Sequence, residues 1–389
     1  MTNLCPVVLC HGLFGFGEDE MGPINYWGKA NKVDSSGLDL LPVSVGPVSS
    51  FWDRACELIA QIKGLQVDYG QSHSVSCGHK RFGRDYRGKG LFPEWSAVNP
   101  VHFVGHSAGG NTVRLAQHLL AIDHYGLGSH EDWVLSVSGI SAVFNGSTVT
   151  YMMGCCPITG KLLGNGGRRL AKFIQMIAVV TGRHFERVYD FDLGHWGFDW
   201  NVGDSLKNIT DKIASSDFIH TKDNLLYDLT LQGCEAFNAS VPTYPNTYYF
   251  GFVTEQTKAQ RSKPQHLPKL RMNPALMAPS TYIGRYQFKQ QPVNGWGQGL
   301  MQDHHWYEND GLVSAVSQRH PFTAGEHPVE DNIIFDRGQF KKGRWYWDKV
   351  WGGSCDHLDI VMLYMTEIGK TKKHGQFYEE LYSHLASLE

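Results

Sequence analysis

Nowhere in these 389 residues do apolar side chains run for the roughly 20 positions that a membrane-spanning helix needs, so an integral helical segment is not expected. Excess charge is missing too. The formal net charge is −3, which provides no basic footprint for nucleic acid and no polybasic membrane tag. Cysteine is sparse: Cys5, Cys10, Cys56, Cys77, Cys155, Cys156, Cys234 and Cys355 show no C-x-x-C spacing, which argues against a disulfide scaffold. Most of them read as buried thiols. The adjacent Cys155 and Cys156 do not readily bond each other, and Cys234 is the partner considered for them. Internal repeats, low-complexity tracts and Ser/Gly-rich linkers are also absent, which favours one elaborated domain over 1–389. No basic n-region or small-residue cleavage site precedes the apolar Pro6-Val7-Val8-Leu9-Cys10. Either the chain is not exported by an ordinary signal peptide or the signal has been removed. Oligomeric state has no sequence signature here.

What is present is alternation. Apolar runs of strand length occur at Val7 to Cys10, Val101 to Val104, Trp133 to Val137 and Thr247 to Phe252, with helix-like stretches such as Ser50 to Ile62 and Asn111 to Ala121 between them. That order predicts an α/β fold, a mostly parallel central sheet flanked by helices. Between Asn145 and Thr230 the pattern changes. Arg168 to Val180 carries more apolar residues than one buried stripe requires, and glycines 154, 160, 164, 166, 167 and 182 flank it. This is either a core helix or a lid hinged on glycine. Asn145-Gly-Ser, Asn208-Ile-Thr and Asn238-Ala-Ser fit the glycosylation sequon, which matters only in a source that secretes through an endoplasmic reticulum.

The strongest motif is Gly105-His106-Ser107-Ala108-Gly109, set between the apolar Val101-His-Phe-Val and the helical run that follows. G-x-S-x-G in that context is the nucleophile elbow of the α/β-hydrolase fold. The flanking glycines admit a tight turn, and the serine hydroxyl stands exposed at the head of a helix. The amide of Ala108 and the helix N-terminus can stabilise an oxyanion. A second donor is expected from the loop after an earlier strand. His11-Gly12-Leu13-Phe14 supplies it, and the assignment falls on Leu13 with Phe14 one residue away as the rival.

A serine hydroxyl needs a histidine to take its proton, and the histidine needs an acid to set its tautomer. In this fold the order is serine, acid, histidine. Glu308-Asn-Asp310-Gly311 offers an aspartate at an abrupt turn, and Ser354-Cys-Asp356-His357-Leu offers a late histidine. Among 19 histidines, His304, His305 and His320 remain rivals, as does Asp356 for the acid.

Taken together, these residues resemble the secreted triacylglycerol lipases of the thermophilic Bacillus and staphylococcal type. Recurring blocks are His11-Gly12, Val45-Gly-Pro-Val-Ser-Ser-Phe-Trp52-Asp53-Arg-Ala-Cys-Glu57, Val67-Asp-Tyr-Gly70, Gly78-His79-Lys-Arg-Phe-Gly83, Val188-Tyr-Asp-Phe-Asp192, Tyr227-Asp228-Leu, Glu308-Asn-Asp-Gly-Leu-Val and Asp356-His357-Leu. The resemblance implies Ser107, Asp310 and His357 as the triad, a lid or cap within 145–230 and an extracellular enzyme. The chain departs from the pattern at Ala108, where these lipases commonly carry glutamine or methionine. A backbone donor survives that change.

The resemblance also implies a metal. Asp53, His73, His79 and Asp228 say little singly, and the spacing from His73 to His79 is looser than a zinc-finger pair. The lipases in question hold a structural zinc through two aspartates and two histidines, and these four positions match. Two imidazoles and two carboxylates make a closed, neutral Zn²⁺ site, which would tie an insertion at 50–84 to the segment bearing Asp228. A calcium site near the catalytic histidine is expected to be lost. Gly284 and Asp359 could stand for part of it, but Ile-Val-Met-Leu-Tyr-Met follows Asp359 where an Asp-Pro pair is needed.

The resulting expectation is a lipase acting on lipid esters at an oil–water interface, with Leu13 and Ala108 as oxyanion donors. An esterase or phospholipase of the same fold, and a catalytically silent lipid-binding protein, are the alternatives at this point.

Overall fold

The run Val7-Val8-Leu9-Cys10 has no polar face, so as a strand it must be covered on both sides. All four residues are fully buried. The computed structural model describes residues 3–389 apart from 18–19, 21–24, 165, 167–168, 170–171, 173–190, 199–205, 289–295, 298–302, 323–326, 331–339 and 362–367. Its strands are β1 (Val7–Cys10), β2 (Leu40–Val43), β3 (Gln66–Asp68), β4 (Phe82–Asp85), β5 (Val101–His106), β6 (Val134–Ile140), β7 (Tyr248–Val253), β8 (Thr257–Gln260), β9 (Lys263–Pro268) and β10 (Trp345–Lys349). The helices used below are α1 (Phe51–Lys63), α2 (Gln71–Cys77), α3 (Gly109–Ala121), α4 (Leu231–Ser240), α5 (Pro274–Ile283) and α6 (Ile368–Ala386).

Six strands form one sheet in the order β10-β7-β6-β5-β1-β2, and every neighbouring pair is parallel. Parallel pairs need crossovers, and the crossovers put helices on the faces. Val8 and Cys10 pack in one apolar layer with Ala55 and Ile59 of α1 and Val113 and Leu120 of α3. Val7 and Leu9 belong to the opposite layer, with Tyr378, Leu381 and Leu385 of α6. Ser50 caps α1 by accepting the Asp53 amide at 3.2 Å, and Gly64, at φ +77°, ends it.

All four strands read from the sequence are present, shifted by no more than a few residues. β2 and β10 were not read, and both lie at the sheet's edges. Pro42 in β2 breaks the expected pattern yet is tolerated there, because an edge strand needs fewer ladder donors. β3 pairs antiparallel with β4, and β8 with β9, as two small ribbons outside the main sheet. Apart from Arg169 and Lys172, the greasy stretch Arg168 to Val180 lies outside the described residues.

Two expectations need correction or narrowing. All eight cysteines are free thiols, and the Cys234 sulfur lies 3.2 Å from the Asp228 carbonyl and 3.4 Å from that of Val143, so it makes no bridge to Cys155 or Cys156. Of the three sequons, Asn145 and Asn238 are buried and their side-chain amides donate to backbone carbonyls, Asn145 to His320 at 2.7 Å and Asn238 to Phe144 at 2.9 Å. Asn208 is exposed. Among the described residues no helix is long and apolar enough to cross a membrane.

Candidate active site

β5 ends at His106 and α3 begins at Gly109, leaving two residues to reverse the chain. Ser107 does so at φ +57°, a left-handed conformation costly for a residue with a Cβ. The glycines on either side are required by space. A Cβ on Gly105 would lie 2.4 Å from the Gly109 carbonyl carbon, and one on Gly109 would lie 2.2 Å from the Cys10 carbonyl oxygen. The strained turn is held by the Ser107 amide donating to Ile140 at 2.9 Å and by the Val143 amide donating to the Ser107 carbonyl at 3.3 Å.

The loop after β1 presses directly on that turn, since a Cβ on Gly12 would come within 2.6 Å of the Ser107 Cβ. The two candidate donors on this loop separate cleanly. The Phe14 amide is committed to the Pro47 carbonyl at 3.1 Å. Among the described residues, neither the Leu13 amide nor the Ala108 amide has an acceptor. His11 braces the loop from below: its Nδ1 lies 3.0 Å from the Gly12 carbonyl, and its Nε2 accepts the Val45 amide at 3.2 Å. Burial, reinforced by the Arg54 guanidinium, lowers the His11 pKa to about 3, so the ring is neutral. Arg54, itself fully buried, donates to the Gly46 carbonyl at 2.7 Å, to Thr112 Oγ1 at 2.9 Å and to the His11 carbonyl.

His357 Nδ1 lies 2.7 Å from Asp310 Oδ2, and both side chains are buried. The carboxylate is saturated with donors. Oδ2 also accepts Thr254 Oγ1 at 2.8 Å and Gln318 Nε2 at 3.1 Å, while Oδ1 accepts the Leu312 and Val313 amides at 3.0 and 2.8 Å. Such a carboxylate can orient an imidazole without taking its proton. The His357 amide donates to the Asp310 carbonyl at 2.9 Å, so backbone and side chain are doubly tied. The His357 ring lies 4.8 Å from that of His106, the residue before Ser107. Asp310 and His357 are thus paired with each other, and His357 lies against the residue that precedes Ser107. Thr254 and Gln318 have no motif that could have announced them.

The rivals are engaged elsewhere. Asp356 caps its own turn, accepting the Leu358 and Asp359 amides at 3.0 Å each and the Asn273 amide at 2.8 Å. Burial and the neighbouring Asp359 push its pKa up to about 6. The His304 and His305 rings lie 4.0 Å apart on each other, and His320 Nδ1 sits 2.8 Å from the Pro321 carbonyl.

Of the four expected metal ligands, three come together and the fourth is replaced. His73 Nε2 lies 3.2 Å from Asp53 and 3.3 Å from Asp223, and His79 Nε2 lies 3.8 Å from Asp53 and 3.2 Å from Asp223. The carboxylate meeting both rings belongs to Asp223, five residues before Asp228. Asp228 instead accepts the Phe51 amide at 2.6 Å, at the head of α1. The correction has a local cause. Asn224 caps the short helix Leu225–Asp228, which leaves Asp223 just outside it, facing α2, and turns Asp228 towards α1. His195 Nε2, 3.0 Å from the second Asp53 oxygen, is a supporting contact the sequence did not announce.

This cluster calls for a cation. Burial works against charge on either ring, yet the facing carboxylates and Cys77 draw the pKa of His73 up to about 12 and that of His79 up to about 10. His79 Nε2 and Asp223 Oδ2 are buried without a hydrogen bond. His73, Cys77, His79 and Asp223 together could hold a metal ion. At the expected calcium position, by contrast, Asp359 is ion-paired with Lys370 at 2.8 Å.

The chain is similar to known proteins along nearly its whole length. The chain is 32% identical to a lipase of Staphylococcus hyicus over 92% of its length and 28% identical to Lipase 1 of Staphylococcus aureus over 99%. It spans about half of those relatives, 54% of each. Among solved structures, EstA from Clostridium botulinum superposes with a TM-score of 0.83 at 30% identity, covering all of this chain and 88% of that one. The Staphylococcus hyicus lipase structure gives a TM-score of 0.76 at 28% identity, covering 99% of this chain and 96% of that one. Lipase 1 from Pelosinus fermentans gives 0.77 at 29%, covering 98% and 99%. The fold is that of the α/β-hydrolases. Since the family model for lipase-like C-terminal domains matches residues 3–389, from ahead of β1 through the whole of α6, this chain belongs to that family.

Proposed function

We propose that the chain is a lipase, hydrolysing carboxylic esters of acylglycerols through an acyl-enzyme on Ser107. His357, oriented by Asp310, takes the Ser107 proton as the hydroxyl attacks the ester carbonyl. The Leu13 and Ala108 amides receive the oxyanion. His357 then protonates the departing alcohol, and water repeats the sequence on the acyl-enzyme. Each oxyanion donor is worth roughly 3 kcal/mol of barrier. The observation that carries this reading is the His357–Asp310 pair set against the residue preceding a positive-φ serine.

Asp53, His73, His79 and Asp223 are assigned to a structural Zn²⁺, which would neutralise two carboxylates and leave no open position for catalysis. Its work is to tie α1 and α2 to the segment before Leu225. A lid that opens at a lipid surface is assigned within 145–230, apart from the anchored Asn145 and Asp223, and the enzyme to the outside of the cell. A second reading is an esterase of the same fold that acts on soluble substrates. A rate jump as substrate passes its solubility limit separates the two.

The test is direct. Wild-type protein should hydrolyse p-nitrophenyl esters, favouring long acyl chains, and should take a fluorophosphonate label. Ser107→Ala should lose both by several orders of magnitude. Unchanged hydrolysis in Ser107→Ala defeats the proposal.

A further inference from the structure

Two buried side chains near Ser107, Tyr26 and His106, have no part in the chemistry just described, yet they join two backbone groups in a line. The Gly12 amide donates to Tyr26 Oη at 2.9 Å, Tyr26 Oη lies 2.6 Å from His106 Nδ1, and His106 Nε2 lies 3.1 Å from the His357 carbonyl. Tyr26 and His106 are 3% and 2% exposed, so water does not compete for these bonds.

The direction of every bond follows. A carbonyl only accepts, so the His106 proton sits on Nε2. Burial, with the nearby His357, keeps His106 neutral, its pKa well below the usual range. Nδ1 is then a bare acceptor, Tyr26 must donate to it, and the phenol oxygen is left to accept Gly12 N–H. With the proton on Nε2 all three contacts are satisfied; the opposite tautomer sets a bare Nε2 against the His357 carbonyl and leaves the Tyr26 proton without an acceptor in this line.

The ends of this line are what make it functional. One end is Gly12, whose neighbour Leu13 offers the unengaged amide. The other is the backbone of His357. Ser107 follows His106 directly in the chain. We propose that Tyr26 and His106 are positioning residues, a hydrogen-bonded strut that fixes the separation between the oxyanion loop and the base across Ser107. The proposal rests on the ester-hydrolase reading and goes further, naming residues that touch no substrate. Reacting groups held to a fraction of an ångström are worth much in rate, and a 1 Å misplacement costs about 100-fold.

The strut can be cut at separate points. Tyr26→Phe keeps the ring and removes the oxygen, freeing the Gly12 amide and His106 Nδ1. His106→Gln keeps a donor able to reach the His357 carbonyl but removes the acceptor for Tyr26. Each is expected to lower kcat on a p-nitrophenyl ester about 10- to 100-fold, with KM within about 3-fold and the fluorophosphonate labelling rate falling by the same factor as kcat. Because both cut one link, the double variant should cost no more than the worse single one. Multiplicative losses in the double variant, or kcat, KM and Tm falling together, would overturn the strut. A labelled wild type with Tyr26→Phe labelled equally fast overturns it while sparing the hydrolase reading. A wild type that takes no label overturns the hydrolase reading, and the strut with it.

Discussion

The Asp223 carboxylate stands 3.2 Å from His79 Nε2, and both atoms are buried with no hydrogen bond between them. Two buried polar atoms so placed are costly unless a cation joins them. Purified protein is therefore expected to carry close to one equivalent of zinc by elemental analysis. Asp223→Ala should lose it, whereas Asp228→Asn should retain most of it. A site loaded to about 100 times its Kd stabilises by about 2.7 kcal/mol, so stripping the metal should lower Tm by roughly 3 °C in a chain of this length. A calcium-selective chelator should leave Tm unchanged, because Lys370 already pairs with Asp359. Full zinc content in Asp223→Ala would show that the fourth ligand had been misassigned.

The elbow makes a steric prediction. Gly109→Ala would put a Cβ 2.2 Å from the Cys10 carbonyl oxygen, a backbone atom of β1 that cannot move aside without shifting the sheet. Overpacking of this kind costs roughly 1–3 kcal/mol or more. The variant should be expressed poorly or melt well below wild type by differential scanning calorimetry. A wild-type melting temperature would mean that α3 sits farther from β1.

Acid should unfold this protein early. His11, His102, His327 and His374 are buried, and burial lowers their pKa values to about 3, 3, 3 and 4. In the unfolded chain the same groups titrate near 6.5. Below that value the unfolded state binds protons that the folded state refuses. Their contribution to stability is therefore whole above pH ~6.5 and is lost as pH falls towards their folded values. Each removes up to about 1.4 kcal/mol per pH unit. With zinc holding His73 and His79, Tm should be nearly flat from pH 7 to 8 and drop steeply between pH 6 and 4, and a flat profile down to pH 4.5 would contradict the neutral buried rings.

Much of the plan could be read along the chain because it rests on short-range physics. The run Val101 to Val104, the tight Gly105-Ser107-Gly109 turn and the helix after it are local consequences of apolar content, missing Cβ atoms and helical periodicity. Edge strands were harder. β2 and β10 are the end strands of the six-stranded sheet, so Pro42 and the polar end of Trp345–Lys349 are allowed and blur the pattern. The metal cluster was read with Asp228, because the resemblance pointed to Tyr227-Asp228-Leu and no local rule ranks that aspartate against Asp223, five residues earlier.

Residue order alone thus determined the class of fold and the turn that carries Ser107, since these depend on what neighbours in sequence can and cannot adopt. Tertiary structure decided which distant groups meet. Asp310, not Asp356, faces His357; among the described residues Leu13, not Phe14, keeps its amide unengaged; Asp223, not Asp228, closes on the histidines; and Tyr26 reaches His106 across 80 positions. Each choice turns on where a chain segment arrives after crossing the sheet, a property of packing that no stretch of sequence carries within itself.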